Sequence, residues 1–184
     1  MSDTSFAVAQ ADMRHGYLHG APGVLVSGLV WLTAALIGVV RSDTAAVYAL
    51  LVGGMLIHPL SVLLTKTLRR PGAHTKGNPL GTLAMEGTFW LLAGIAIAWG
   101  MHVVRLQWFF PTMLLLIGGR YLTFRTLYGL RVYWVLGASL GVAGLLLAVL
   151  LVRPSWAAFT GAGIELAFAA VLFAQASKQN TTAT

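Results

Sequence analysis

Six long apolar runs constrain the fold of this chain more than any other feature of its sequence. Each run holds about 20 mostly apolar residues, which is the length that an α-helix needs to cross a bilayer. They span residues 22–40, 45–65, 79–101, 107–123, 132–152 and 156–176. The connections between them are short, so no soluble domain fits between two runs. We therefore predict an all-α fold, a polytopic membrane bundle of six transmembrane helices.

The same runs divide the chain into three parts. Residues 1–21 are expected to be a cytoplasmic or interfacial segment, residues 22–176 the transmembrane domain, and residues 177–184 a tail. The first part lacks the basic region and short apolar core of a secretory signal, so we expect no cleaved signal peptide. Asn78 followed by Pro79 predicts a capped helix start, and Pro154 sets off the last span.

Composition excludes several functional classes. The chain is 58% hydrophobic and only 9% charged, whereas soluble domains carry about 25% charged residues. The net charge of +7 lies in short loops rather than on a soluble basic surface, so we expect no nucleic-acid partner. There is no cysteine, which excludes disulfides and thiolate chemistry. His15 and His19 are four apart, but no convincing third ligand lies nearby, so we expect neither a metal nor a cofactor.

The positive charges predict the orientation. We expect a bacterial inner-membrane protein with both termini in the cytoplasm, because nine of the twelve basic residues then lie on the cytoplasmic side. These nine are Arg14, Lys66, Arg69, Arg70, Lys76, Arg120, Arg125, Arg131 and Lys178. Two aromatic belts are predicted at the membrane boundaries. The outer belt would hold Trp99, Trp108 and Trp156, and the inner belt Tyr128, Tyr133 and Trp134.

Four polar residues inside the apolar runs are the candidate ligand- or proton-binding site: His58, Glu86, Arg120 and Glu165. At 1.5 Å per helical residue they lie roughly 12, 10, 6 and 16 Å from the cytoplasmic ends of their spans. They belong to four different helices and to the cytoplasmic half of the membrane or its midplane. Neighbouring helices could therefore bring them together in one pocket, which is the hypothesis that the structure can examine.

Glu86 has two interpretations. It could form a structural ion pair with Arg120, whose guanidinium matches a carboxylate in bidentate fashion. It could instead bind a cation, a proton or a polar group of a ligand. Thr82 and Trp90 lie four residues to either side of Glu86, so we expect this polar and aromatic face to turn inward.

Glu165 lies on a stripe of small residues at a spacing of four, formed with Ala157, Gly161 and Ala169. Such stripes mark close contact between membrane helices, so we expect Glu165 to face protein. It would be either a neutral carboxylic acid bonded to a backbone carbonyl or a site for a proton or ligand.

His58 immediately precedes Pro59 in the middle of its span. A proline there removes a helical hydrogen bond and favours a kink. The histidine would then support a pliable region or serve as a titratable group at a hinge.

Several short motifs resemble those of small, uncharacterised bacterial multi-pass membrane proteins. They are Gly20-Ala21-Pro22-Gly23, Ser27-Gly28-Leu29-Val30-Trp31, His58-Pro59-Leu60 and Gly77-Asn78-Pro79-Leu80. The resemblance extends over most of the chain and implies its topology, but it implies no activity and no site residues.

We therefore expect a small-solute or proton-coupled transporter or binder with a polar pocket inside the membrane. The alternatives are a structural or accessory membrane subunit and, third, a membrane enzyme acting on a lipid. The expected partners are the lipid bilayer, a small molecule or a proton, and further copies of the chain.

Overall fold

The computed structural model describes residues 3–181, with side chains for residues 5–178, and this part of the chain contains helices and no strand. The all-α prediction is confirmed. The last residues of the predicted tail, 182–184, lie outside the described residues. The α-helices are α1 (Asp3–Tyr17), α2 (Ala21–Val40), α3 (Asp43–Thr67), α4 (Pro79–Val104), α5 (Phe109–Tyr128), α6 (Val132–Val149) and α7 (Pro154–Thr181).

Each predicted run forms one of the helices α2 to α7, and five helical stretches are long and apolar enough to cross a membrane. They are Ser5–Val40, in which α2 rather than the polar α1 supplies the apolar length, together with α3, α4, α6 and α7 (Pro154–Lys178). Helix α5 is not among them, since Arg120 and Arg125 reduce its apolar character. It also continues to Tyr128, more than a turn beyond the predicted boundary at residue 123. Asn78 caps α4 through its side chain, with Pro79 in the first turn, as predicted.

Helix α2 is central in the bundle. It packs against α7 on one side and α3 on another, while α5 packs against α6 and α4. The core between these helices contains large, fully buried side chains: Trp31, Phe109, Phe110, Leu114, Tyr133 and Leu140. Helices α3 and α4 leave most of their surface uncovered. They therefore flank a core that α2, α5, α6 and α7 form.

The N-terminal segment that was predicted to be cytoplasmic or interfacial contains a helix. Helix α1 begins at Asp3 and ends at Tyr17. Ala9 and Met13 are buried, so packing against the bundle outweighs the low helix propensity of Gly16. Three consecutive residues with positive φ, Leu18, His19 and Gly20, then redirect the chain into α2.

The interface between α2 and α7 depends on small side chains. Ala157, Gly161, Glu165 and Ala169 are all buried, so the predicted stripe does face protein. A Cβ at Gly161 would lie 2.8 Å from the ring of Trp31 and 2.9 Å from Leu114. Because such contacts are too short for a methyl group, this part of α7 can approach α2 only with glycine at position 161.

Two glycines of α7 provide a matched test of this interface. We expect Gly161→Ala to lower the free energy of unfolding by about 1–3 kcal/mol through overpacking. Gly163→Ala, on the exposed side of the same helix with nothing within 4 Å of the added methyl, should leave stability unchanged or raise it by up to about 1 kcal/mol. Thermal unfolding in detergent measures both, and equal effects of the two substitutions would contradict the packing described here.

Candidate functional site around Glu165

Glu165 is the one acidic side chain that the described structure buries completely, with 0% of its surface exposed. It projects from α7 towards α2 and α5, where the hydroxyls of Ser27 and Tyr121 are close enough to interact with it. Neither carboxyl oxygen has a hydrogen bond of ordinary geometry. Buried polar groups are nearly always hydrogen-bonded, so an unsatisfied carboxyl between packed helices requires an explanation.

A stack of tyrosines extends from this carboxyl to the end of the bundle where α1 lies. The ring of Tyr133 stacks on Tyr121 with centroids 6.0 Å apart and on Tyr128 with centroids 5.4 Å apart. Phe124 packs edge-on against all three. The stacked rings therefore connect Tyr121, beside Glu165, with Tyr133, whose ring lies between Tyr121 and Tyr128.

The burial of these tyrosines corrects the predicted inner aromatic belt. Tyr128 and Tyr133 are 6% and 0% exposed and belong to the core, whereas Trp134 has more than half of its surface exposed. The prediction placed all three at the membrane boundary because they are near the ends of their helices. Adjacent residues on a helix point in different directions, so position along the helix does not decide which of them faces lipid.

Tyr133 connects the stack to the junction of α1 and α2. Its hydroxyl donates a hydrogen bond of 2.7 Å to the carbonyl oxygen of His19. Gly20 has a φ of +80°, and a Cβ at this position would collide with the Tyr133 hydroxyl. Both the backbone conformation and the lack of space therefore require glycine at the point where α1 turns into α2.

Helix α1 closes this end of the bundle through hydrogen bonds of Asp12. Its carboxylate accepts from the amide of Thr75 at 2.9 Å, from the hydroxyl of Thr75 at 2.7 Å and from the side-chain amide of Asn78 at 2.7 Å. Asn78 also donates to the carbonyl oxygen of Ala9. Because Asn78 in turn caps α4, the same side chain joins α1 to the start of the fourth helix.

Further contacts fasten α1 on both sides. Hydrogen bonds also join α1 to the loop of residues 68–78. The Tyr17 hydroxyl bonds to the imidazole of His74. The backbone amide of Gly72 donates to the carbonyl oxygen of Gly16, and the guanidinium of Arg70 donates to the ring of His15. Towards the end of α5, Gln10 and Arg14 donate to the carbonyl oxygens of Thr126 and Tyr128. Helix α1 is thus a cap that holds the 68–78 loop and the α5 terminus together over the tyrosine stack.

The Asp12 carboxyl makes this cap sensitive to acid. Desolvation raises its pKa, but the hydrogen bonds from Asn78 and Thr75 outweigh that effect, and the pKa is lowered from its usual value. A carboxyl whose pKa is lower in the folded than in the unfolded state stabilises the fold above its unfolded pKa. That stabilisation is lost as the pH falls through the folded pKa.

We expect α1 to detach first at acid pH. Hydrogen exchange of the α1 amides, corrected for the intrinsic rate, should accelerate below about pH 4 while the core helices remain protected. Asp12→Asn should show faster exchange than wild type at neutral pH, because its amide keeps only one of the two acceptor oxygens and carries no charge. Asp43→Asn, at the start of α3, is the control and should behave as wild type. Full protection of α1 in Asp12→Asn would contradict this role of Asp12.

Arg120 does not form the expected ion pair with Glu86. Its guanidinium is half-buried, donates a 3.0 Å hydrogen bond to the hydroxyl of Thr88 on α4 and lies 5.6 Å from the centroid of the Phe124 ring. No ion pair between Arg120 and Glu86 is present in the described part of the chain. Arg120 therefore joins α5 to α4 through the hydroxyl of Thr88, while its contact with the Phe124 ring lies within α5.

Glu86 and His58 are exposed side chains on α4 and α3. Thr82 and Trp90 are exposed with Glu86, so the face of α4 that was predicted to turn inward faces outward. Of the four predicted site residues, Glu165 alone is fully buried, Arg120 is half-buried, and Glu86 and His58 are exposed outside the core. The four do not converge on one pocket, and whether any of them binds a ligand stays a prediction.

Glu165 has no charged partner among the described residues. It forms no ion pair with any of them, and it lines neither the groove between α2 and α3 nor the groove beside Leu18, Arg70 and Phe173. No group of three or more His, Cys, Asp or Glu side chains that could hold a metal occurs among the described residues. The polar groups beside this carboxyl are the hydroxyls of Ser27 and Tyr121.

Comparison with known proteins adds a family but no activity. Residues 6–175 match DUF7010, which is described as a family of unknown function. No curated protein and no solved structure matches the chain.

Proposed function

The chain belongs to DUF7010, a family of unknown function, and we propose that it is a small multi-pass protein of the bacterial inner membrane that binds a proton at Glu165 and moves protons across the membrane. Both termini would face the cytoplasm. One observation supports this proposal above the others, namely a fully buried carboxyl that forms no ion pair and no hydrogen bond of ordinary geometry.

The energetics of the bilayer explain why this observation favours proton binding. A charged carboxylate at the centre of a membrane helix costs on the order of 2.5–3.5 kcal/mol on insertion scales. No described cation pairs with Glu165, so the packed state is compatible with the neutral acid. A second conformation that admits water to Glu165 would favour the ionised carboxylate. The packed and the water-filled conformations would therefore differ in whether Glu165 carries a proton.

The tyrosine stack supports a route on one side of Glu165. The hydroxyls of Tyr121 and Tyr133 lie between the carboxyl and the α1–α2 junction, and α1 covers that junction. Most of the basic residues assigned to the cytoplasmic side belong to α1, the 68–78 loop and the end of α5. Under the positive-inside rule, the proton would exchange with the cytoplasm through this end when α1 moves.

A second candidate is a structural or accessory membrane subunit. The close packing of Gly161 against Trp31 and of Gly28 against Leu166 favours it, because a tight core leaves no water-filled path in this conformation. In that case Glu165 would be a neutral acid that packs between α2 and α7 and has no role beyond the structure.

Proton flux distinguishes the two candidates. Purified protein would be reconstituted in liposomes that contain a trapped pH-sensitive dye, and a potassium diffusion potential would drive protons inward. We expect wild type to acidify the interior faster than protein-free liposomes. Glu165→Gln should abolish the difference while it unfolds at the same temperature as wild type, because glutamine replaces a neutral acid of the same shape.

Asp43→Asn is the matched control, since it also converts a carboxyl to an amide but lies at the far end of the bundle from α1. It should retain wild-type flux. Equal flux in wild type, Glu165→Gln and protein-free liposomes would reject proton movement and favour the accessory-subunit alternative.

A further inference from the structure

The outward face of α4 combines a charged residue with large apolar side chains. Glu86 is exposed there, and Phe89, Trp90 and Ile97 on the same face are 67%, 72% and 60% exposed. These residues follow one another at helical spacing, so they form one continuous stripe. Apolar side chains of this size suit lipid or another helix, but the carboxyl of Glu86 does not suit lipid.

The depth of Glu86 makes lipid an unfavourable neighbour. It lies seven residues after Pro79, the first residue of α4, which corresponds to about 10 Å along the helix axis. Ionisable residues at such depth face other protein groups or water in nearly all membrane proteins. Within the described part of the chain no ion pair or hydrogen bond neutralises Glu86, since Arg120 binds Thr88 instead.

A complementary group occurs at nearly the same depth on a different helix of the same chain. His58 is exposed on α3, nine residues before Thr67 at the end of that helix, or about 13 Å along the axis. Met55 beside it is 79% exposed. Helix α3 packs on α2 whereas α4 packs on α5, so the two exposed groups belong to separate helices at the margins of the bundle. No hydrogen bond or ion pair joins them among the residues described.

We propose that the protein self-associates head to tail, with Glu86 on α4 of one copy paired with His58 on α3 of the next. A second copy is the occupant that charge complementarity favours, because each chain offers both a carboxyl and an imidazole at matching depth. A two-fold symmetric contact through α4 would instead place Glu86 against Glu86, which brings two like groups together. A head-to-tail contact uses both faces of every copy and closes into a ring when the rotation permits.

Cysteine cross-linking tests this pairing directly, because the chain contains no cysteine of its own. Two differently tagged chains, one carrying Glu86→Cys and the other His58→Cys, would be co-expressed and treated in membranes with copper–phenanthroline or Hg²⁺. We expect a cross-linked dimer that contains both tags, and no product from either single-cysteine chain alone. One chain carrying both substitutions should give products larger than a dimer.

Val142→Cys on α6 is the matched control, since it is 57% exposed and lies at similar depth, about 15 Å from Val132 at the start of its helix. Paired with His58→Cys it should give no product. Cross-linking of Glu86→Cys to itself would overturn the head-to-tail arrangement, and cross-linking only to a different protein would overturn self-association.

A second measurement does not depend on cross-linking geometry. Native mass spectrometry of protein released from nanodiscs should show oligomers of the wild type, and Glu86→Gln should weaken the association about tenfold, as expected for loss of a charge-assisted hydrogen bond. The exchanged variant, which combines Glu86→His with His58→Glu, should recover most of the association. Wild type that is monomeric at all concentrations would overturn the proposal.

Discussion

The close contact between α2 and α7 determines how the rest of the bundle is arranged. Gly161 and Gly28 allow the two helices to approach, and this approach removes Glu165 from solvent completely. No described cation pairs with the enclosed carboxyl, and the hydroxyls beside it are those of Ser27 and Tyr121. Tyr133 stacks on the ring of Tyr121.

The two ends of the bundle are unequal. At one end, α1 lies across the 68–78 loop and the end of α5 through hydrogen bonds of Asp12, Gln10 and Arg14. The chain then reverses through three residues with positive φ before it enters α2. Helix α1 also buries Ala9 and Met13 against the bundle, so polar and apolar contacts together hold this cap in place. A moving cap would change access to the tyrosine stack without any change in the α2–α7 contact.

Much of this fold was predictable from the sequence, whereas the direction of single side chains was not. The apolar runs predicted the helices, and Asn78 predicted the capped start of α4. The small-residue stripe predicted that Glu165 faces protein. The apolar residues of α4 are distributed around the whole helix, so their periodicity does not indicate whether Glu86 faces inward or outward. Tertiary packing between helices that are distant in sequence decides the other contacts. It makes Thr88 the partner of Arg120, and it turns Tyr128 and Tyr133 inward. The binding roles of His58, Glu86, Arg120 and Glu165 remain predictions.

The protonation state of Glu165 is the quantity on which this account depends most directly. The infrared difference spectrum between wild type and Glu165→Gln, recorded in lipid at neutral pH, reports it. We predict that wild type shows the carbonyl stretch of a protonated carboxylic acid and that Glu165→Gln lacks it. A spectrum in which the substitution removes only carboxylate bands would show that Glu165 is ionised in the folded bundle, and would contradict the account.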